Sequence, residues 1–268
     1  MDRRRGRRDR DERIANRRRT NDLRARQTRR GLRIEASVAR WAAVVVAAGS
    51  GTRFGTPKQF WDLAGLPMAG WSIETFAGMP EVGALVVATE PVWLDRMREL
   101  CNRIAADRDV RIVAGGATRQ QSVYRALAAV PANCDGVFVH DGARPLIRAE
   151  DVRAGMQMVR PGRGALLAAP VVDTVKVVDE NGRIVQTLDR EQLRAAQTPQ
   201  FAWSDDLRRA HQHALENELQ ATDDAMLLEA IGLDVFAVVA SDENFKVTVP
   251  ADASRAAAVL SERRRSCD

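Results

Sequence analysis

The sequence predicts an α/β fold: a doubly wound, mostly parallel sheet with helices on both faces and a protruding β-hairpin, beginning near residue 41 of 268. Three observations carry this. From Trp41 onward, apolar runs of strand length alternate with segments of helical period, joined by short links. That is the pattern of consecutive βαβ units, and so of a parallel sheet. The first run, Trp41–Ala47, is apolar at every position, as a strand covered on both faces must be. Glycines and charges collect directly after several strands, where the loops of an open α/β sheet converge on a ligand.

The elements follow in order. Trp41–Ala47 is a strand and Gly49–Pro57 a loop. Met68–Phe76 is a short helix, Gly83–Thr89 a second strand, and Pro91–Ala106 a helix with proline in its first turn, where no N–H is needed. Val110–Val113 is a strand that stops at Gly115-Gly116. Thr118 is the N-cap of a helix to Val130. Gly136–His140 is the fourth strand, Glu150–Val159 a helix and Ala165–Ala169 a strand. Val171–Val178 and Arg183–Leu188 are two strands around Asp179-Glu-Asn-Gly182, and the Asn-Gly pair marks a hairpin. A lone hairpin is marginal in water, so this arm, at about 171–188, packs on its own domain or on a second subunit. Helices at Ser204–Asn217 and Asp223–Ile231, strands at Asp234–Val239 and Phe245–Val249, and a helix Pro250–Arg265 complete the domain, 41–268. His211 and His213 lie on a polar helix and read as solvated.

Charge divides the chain. Residues 1–40 hold 16 arginines and 6 acidic residues, leaving 25 basic and 30 acidic residues in 41–268. The net charge of +5 therefore comes from an Arg-rich tail, expected to be disordered, on an acidic body. The tail is a tether for a polyanion or a passive extension; no aromatic is interleaved with its arginines, which favours the passive reading and speaks against a nucleic-acid partner. Three cysteines without metal-ligand spacing suggest a reducing compartment. No apolar run is long enough to cross a membrane. Together these point to a cytoplasmic protein.

The candidate site gathers at strand ends. Gly49 and Gly51 let backbone N–H groups approach an anion, and Arg53 and Lys58 follow in the same loop. No Gly-Lys-Ser/Thr follows, so the loop is not a Walker A motif. Of 41 basic residues only Lys58, Lys176 and Lys246 are lysine. A chain so biased to arginine keeps lysine where a compact point charge is wanted and a planar fork is not. Gly116, Arg119 and Ser122 follow the third strand and suit a base edge and a phosphate. Asp141 and Arg144 follow the fourth, while His140 reads as structural. Thr174, Arg190, Thr198-Pro-Gln200, Thr222-Asp-Asp224 and Lys246 lie in polar knots suited to a second, phosphorylated substrate. No nucleophile triad and no Cys/His metal cluster stands out.

The motifs A47-A-G-x-G-T-R-x(4)-K-Q59, G115-G-x-x-R-x-x-S-V123, H140-D-x-A-R-P145, A168-x-P-V-x-D-T-x-K176, T198-P-Q-F201 and N244-x-K-V-T248 occur in this order. In this set the chain resembles the 2-C-methyl-D-erythritol 4-phosphate cytidylyltransferase family of the non-mevalonate isoprenoid pathway, over about residues 42–260. The resemblance implies a Rossmann-like nucleotidyltransferase fold and the transfer of CMP from CTP to methylerythritol 4-phosphate with release of pyrophosphate. It implies Arg53, Lys58 and Lys246 as catalytic residues, with Mg²⁺ held mainly by the CTP phosphates. CTP would be bound by Ala47, Ala48, Gly49, Gly51, Gly116, Arg119, Ser122, Asp141 and Arg144. Methylerythritol phosphate would be bound by Thr174, Arg190, Thr222 and Lys246. It also implies a homodimer in which the arm of one subunit reaches the other's site. Ala117 departs from the pattern, standing where many members place a polar residue near the base, and the tail lies outside it. Some relatives carry a cyclodiphosphate synthase after this domain; the resemblance here stops near residue 260. Two other readings stay open: a ribitol-5-phosphate cytidylyltransferase, and a nucleic-acid-binding protein with a degenerate transferase body.

Overall fold

The computed structural model describes residues 39–49 and 57–265. The tail expected over residues 1–40 lies outside the described residues except for Ala39 and Arg40. Arg40 belongs to the body: its backbone N–H donates to Asp135 (2.9 Å) and its guanidinium to the Gly83 carbonyl (3.0 Å).

In chain order the strands are β1 (Trp41–Ala47), β2 (Asp62–Leu63), β3 (Leu66–Pro67), β4 (Val82–Thr89), β5 (Val110–Ala114), β6 (Gly136–Asp141), β7 (Arg163–Pro170), β8 (Lys176–Val178), β9 (Ile184–Thr187), β10 (Arg194–Trp203) and β11 (Asp234–Val239). The helices are α1 (Met68–Ala77), α2 (Leu94–Ile104), α3 (Arg119–Ala128), α4 (Ala149–Met158), α5 (Ser204–Glu216), α6 (Asp224–Ala230) and α7 (Pro250–Arg265).

Successive side chains of a strand point to opposite faces, so an all-apolar strand needs two cores. β1 has them. Ala43 and Val45 join Phe76, Met97, Val152 and Leu260, which come from α1, α2, α4 and α7. Ala42 and Val44 join Val123, Leu207 and Leu227, from α3, α5 and α6. Ala42 through Val45 are fully buried; each valine so buried contributes about 1.5–3 kcal/mol. Helices therefore cover both faces, as the doubly wound reading expects.

The main sheet has the order β11-β7-β10-β6-β1-β4-β5. β4 and β6 both pair parallel with β1, β5 parallel with β4, and β11 parallel with β7. The chain leaves β1 toward β4 and β5, then returns to place β6 on the other side. The loops after β1 and β6 thus run in opposite directions, and a crevice opens between them.

β10 is absent from the elements expected above. Pro199 and a polar surround argue against a strand there. β10 is nevertheless a sheet member, antiparallel to both β6 and β7. Its pairing with β7 breaks off after Ala196 and resumes at Gln200, so the proline falls in the gap. Pro170 and Arg194 are partners at one end of this ladder. The connection between them, which carries the arm, therefore leaves the sheet at the edge where β1 and β6 end.

The strand expected at Phe245–Val249 does not form. Its backbone donors go elsewhere: Val247 N–H to the Ala143 carbonyl (2.8 Å), and Thr248 and Val249 N–H to the Asp252 carboxylate at the start of α7 (2.8 and 3.0 Å). The helix expected from Pro91 begins as a 3-10 turn, Pro91–Trp93, before α2. The hairpin is real but shorter than expected. Among the described residues β8 and β9 pair only with each other, and the turn is held by Asp179, which accepts from Asn181 and Arg183 N–H (3.0 and 2.9 Å), with Gly182 at φ +80°. Val172, Val178, Ile184 and Val185 on this arm are exposed.

Candidate active site

The crevice after β1 and β6 is a cleft of about 390 Å³ lined by Ala47, Ala48, Gly49, Lys58, Gly116, Arg119, Ser122, Asp141 and Lys246, among others. One wall is a strand-to-helix turn built on close backbone approach. A Cβ on Gly115 would collide with that of Ala48, and one on Gly116 with Gln121. The Thr118 side chain caps α3 by accepting from Gln121 N–H (3.1 Å). Ser122 is buried; its hydroxyl donates to the Thr118 carbonyl (2.9 Å) and accepts from Gly116 N–H (3.0 Å). Ser122 thus shapes the turn, with its hydroxyl already engaged. Ala117 donates its N–H to Gln121 Oε1 (2.9 Å).

The charges form one chain. Lys246 Nζ lies 2.8 Å from Asp141 Oδ2, and Arg119 Nε 3.1 Å from Asp141 Oδ1. Arg119 Nη1 reaches Asp224 Oδ2 at 2.8 Å, and Asp224 Oδ1 meets His211 Nε2 at 2.9 Å. Burial by itself would raise the Asp141 pKa, but Arg119 and Lys246 outweigh it and hold the carboxyl well below the usual carboxylate range. Asp224 behaves likewise: burial opposes its charge, and Arg119 and His211 overcome it. Arg119 is held above its ordinary value, the two carboxylates prevailing over burial. All three stay ionised at neutral pH.

A second layer fixes this chain. Thr198 Oγ1 accepts from Asp141 N–H (3.0 Å) and meets His140 Nδ1 (3.3 Å), while His140 Nε2 lies 3.1 Å from the Arg144 carbonyl. A carbonyl only accepts, so Nε2 carries the proton and Nδ1 accepts from the threonine. Burial pushes the His140 pKa down to about 4, and the ring is neutral. His140 is structural, as the sequence suggests. Arg144 donates to the Asn244 carbonyl (2.8 Å) and so holds the segment that carries Lys246.

The structure therefore brings Ala47, Ala48, Gly49, Lys58, Gly116, Arg119, Ser122, Asp141 and Lys246 to one cleft. Arg144 stands behind it. Gly51 and Arg53 lie outside the described residues. Thr174 and Arg190 are exposed on or beside the arm, where Arg190 donates to the Val172 carbonyl (2.8 Å). Thr222 is exposed, with its hydroxyl 3.1 Å from the Met226 sulfur. None of these three lines the cleft within the chain. Sequence reasoning missed Gln59, buried in the cleft wall with both amide atoms unpartnered among the described residues. It also misread His211, which is buried and not solvated. Its spacing from Leu207 and Ala214, four and three residues away on one helix face, was the available signal.

Among the described residues no group of three His, Cys, Asp or Glu side chains could hold a metal, and no helix is long and apolar enough to cross a membrane. Cys101 and Cys134 are buried and free, and burial pushes the Cys101 thiol up to about 12, which leaves it inert at neutral pH.

Residues 41–262 match the family model described as IspD, 2-C-methyl-D-erythritol 4-phosphate cytidylyltransferase. The chain is 40% identical over 226 residues to the protein of that name from Pelotomaculum thermopropionicum, covering 83% of this chain and 95% of the relative. It is 43% identical to the one from Frankia casuarinae, covering 86% and 85%. The solved structure of the Thermus thermophilus protein of that name superposes with a TM-score of 0.68 at 30% identity, over 81% of this chain and 98% of that one.

Proposed function

Because the chain belongs to the 2-C-methyl-D-erythritol 4-phosphate cytidylyltransferase family, we propose that the cleft between Ala47 and Asp141 is where it carries out that reaction. The enzyme transfers CMP from CTP to 2-C-methyl-D-erythritol 4-phosphate, giving the CDP-alditol and pyrophosphate in isoprenoid biosynthesis. The readings as a ribitol-5-phosphate enzyme or a nucleic-acid-binding protein are not favoured by these relatives.

The carrying observation is the convergence of Lys58, Lys246, Arg119 and Asp141 on one cleft at the point where the sheet changes direction. In-line displacement at the α-phosphorus needs little covalent chemistry from the protein. It needs the reacting oxygens aligned and the developing charge met by fixed cations. The backbone at Ala47, Ala48, Gly49 and Gly116 approaches the nucleotide closely, with Gln59 buried in the wall beside it. Lys58, with Arg53 from the glycine loop, meets the α-phosphate. Lys246 keeps one N–H on Asp141 and presents the others to phosphate oxygens. Asp141 faces the ribose. No covalent intermediate is required.

The donor set fits a magnesium ion that arrives with CTP rather than one caged by protein. Asp141 is already balanced by Arg119 and Lys246, and Mg²⁺ is commonly bound through substrate phosphates and one or two carboxylates. Bound there, the ion would neutralise triphosphate charge. Thr174 and Arg190 act on the acceptor across a homodimer interface made by the arm, which accounts for the exposed Val172, Val178, Ile184 and Val185, and Thr222 joins them. The enzyme works in the cytoplasm.

The test is pyrophosphate release with CTP and Mg²⁺, offering methylerythritol 4-phosphate and ribitol 5-phosphate separately. Much faster turnover with the former is expected. Preference for the latter would overturn the acceptor assignment.

A further inference from the structure

We propose that His211 and Asp224, neither of which reaches the cleft, are positioning residues that hold Arg119 for the nucleotide. The inference rests on the reading of the cleft as the CTP site.

Arg119 has three side-chain nitrogens. Nε is engaged by Asp141 at 3.1 Å and Nη1 by Asp224 at 2.8 Å, while Nη2 is buried without a partner among the described residues. A planar guanidinium gripped by two carboxylates on different elements cannot turn without breaking one grip. The direction of Nη2, in a residue that lines the cleft, is thus set by Asp224 as much as by Asp141.

Asp224 is fixed in turn. It opens α6 with its backbone N–H on Gln200 Oε1 (2.9 Å), and its Oδ1 faces His211 Nε2 (2.9 Å). A carboxylate only accepts, so His211 Nε2 carries a proton and donates it to Asp224. Its Nδ1 is buried with no hydrogen-bond partner among the described residues. His211 comes from α5, whose Leu207, Ala210 and Ala214 pack into an apolar core. Packing alone asks for no imidazole here. An apolar side chain would fill the site and leave no orphaned nitrogen. What the imidazole adds is its bond to Asp224. Without it, Oδ1 loses its partner and the carboxylate is free to turn both oxygens onto Arg119. The guanidinium is then drawn off Asp141, which keeps its contact with Lys246.

His211→Leu removes the donor at similar volume, and His211→Gln restores an N–H. CTP binding by calorimetry, steady-state kinetics and thermal melting are measured on the full chain. His211→Leu is expected to lower the melting temperature, because a buried carboxylate loses its donor, and to weaken CTP binding about ten-fold or more at temperatures where the variant is folded; His211→Gln is expected to recover most of the lost affinity. In an Asp224→Asn background the His211→Leu effect should largely vanish, since both changes act through one path. Asp224→Asn alone carries the same expected loss of CTP affinity if the leucine variant fails to fold. Unchanged CTP affinity in the foldable variants, equal impairment by Leu and Gln, or additive effects in the double variant overturn the proposal. Wild-type protein that binds no CTP overturns the reading of the cleft, and this inference with it. Wild type that binds CTP alongside variants that bind it equally well overturns this inference alone.

Discussion

The ammonium of Lys246 sits 2.8 Å from the carboxylate of Asp141, across 105 positions of chain. It joins a loop that follows β11 to the end of β6 and gives Asp141 a second cation besides Arg119.

Asp141 is therefore a structural anion as well as a candidate ligand. Asp141→Asn should leave Arg119 and Lys246 side by side without their shared counter-charge. Removing one partner of a buried ionic network costs about 3–5 kcal/mol, so a lower melting temperature is expected with a large loss of kcat/KM. Chemical denaturation together with the pyrophosphate assay checks both. A variant as stable and active as wild type would remove Asp141 from the site.

Lys58 lines the same cleft on a short 3-10 turn, Lys58–Phe60. Lys58→Ala should lower kcat by about 10²–10³-fold, the scale of losing one fixed charge at a transition state. The fold should be unchanged. Lys58→Arg should fail to restore the rate, because a planar fork does not replace a point charge. Near-normal turnover by the alanine variant would exclude Lys58 from catalysis.

If the arm serves the neighbouring subunit, Arg190 and Lys58 of one site come from two chains. Arg190→Ala should raise KM for methylerythritol 4-phosphate and leave KM for CTP near normal. Unfolding and refolding the Lys58→Ala and Arg190→Ala proteins together should then restore about one quarter of wild-type activity, because half the dimers are mixed and each has one intact site. No restoration would place both residues in the same chain's site.

Stability should depend on pH through His140. Its folded pKa of about 4 lies below the ordinary value near 6.5. Between these limits the unfolded chain binds the proton and the folded one does not, so stability falls as pH drops from about 6.5 to about 4. The full span is worth about 3 kcal/mol. Asp141 and Asp224, whose folded pKa values are depressed, work in a lower window: their contribution is complete above about pH 4 and is lost only as pH falls further. Urea denaturation from pH 7 to pH 4 should show the upper slope, and His140→Gln should flatten it. An equal slope in the variant would assign that dependence elsewhere.

The legible and illegible parts of this molecule differ for physical reasons. β1 could be read because a strand buried on both faces has no polar position to confuse the pattern. The Thr118 cap and the Asp179–Gly182 turn were local, decided by side chains within a few residues of the backbone they satisfy. β10 was hidden because Pro199 fills a gap in its ladder that exists only once β7 is in place. The Phe245–Val249 stretch has strand composition, but Asp252 and the Ala143 carbonyl take its donors. Within the site, the strand-end positions at Asp141 and Gly116 followed from the alternation of elements. The grip of Arg119 on two aspartates did not, because Asp224 arrives from 105 residues away.

The reversed direction of β10 has a consequence for how such an enzyme changes. Since Pro170 and Arg194 face each other at the edge beside the cleft, everything between them is a detachable overhang on a finished sheet. Its length and side chains can be rewritten without moving a core residue, and the nucleotide half of the site is untouched by the edit. If Thr174 and Arg190 on this overhang hold the acceptor as proposed, acceptor choice can drift while the fold and the triphosphate chemistry stand still. On that reading, grafting a different hairpin between those two positions should change which acceptor is used and leave CTP binding as it is.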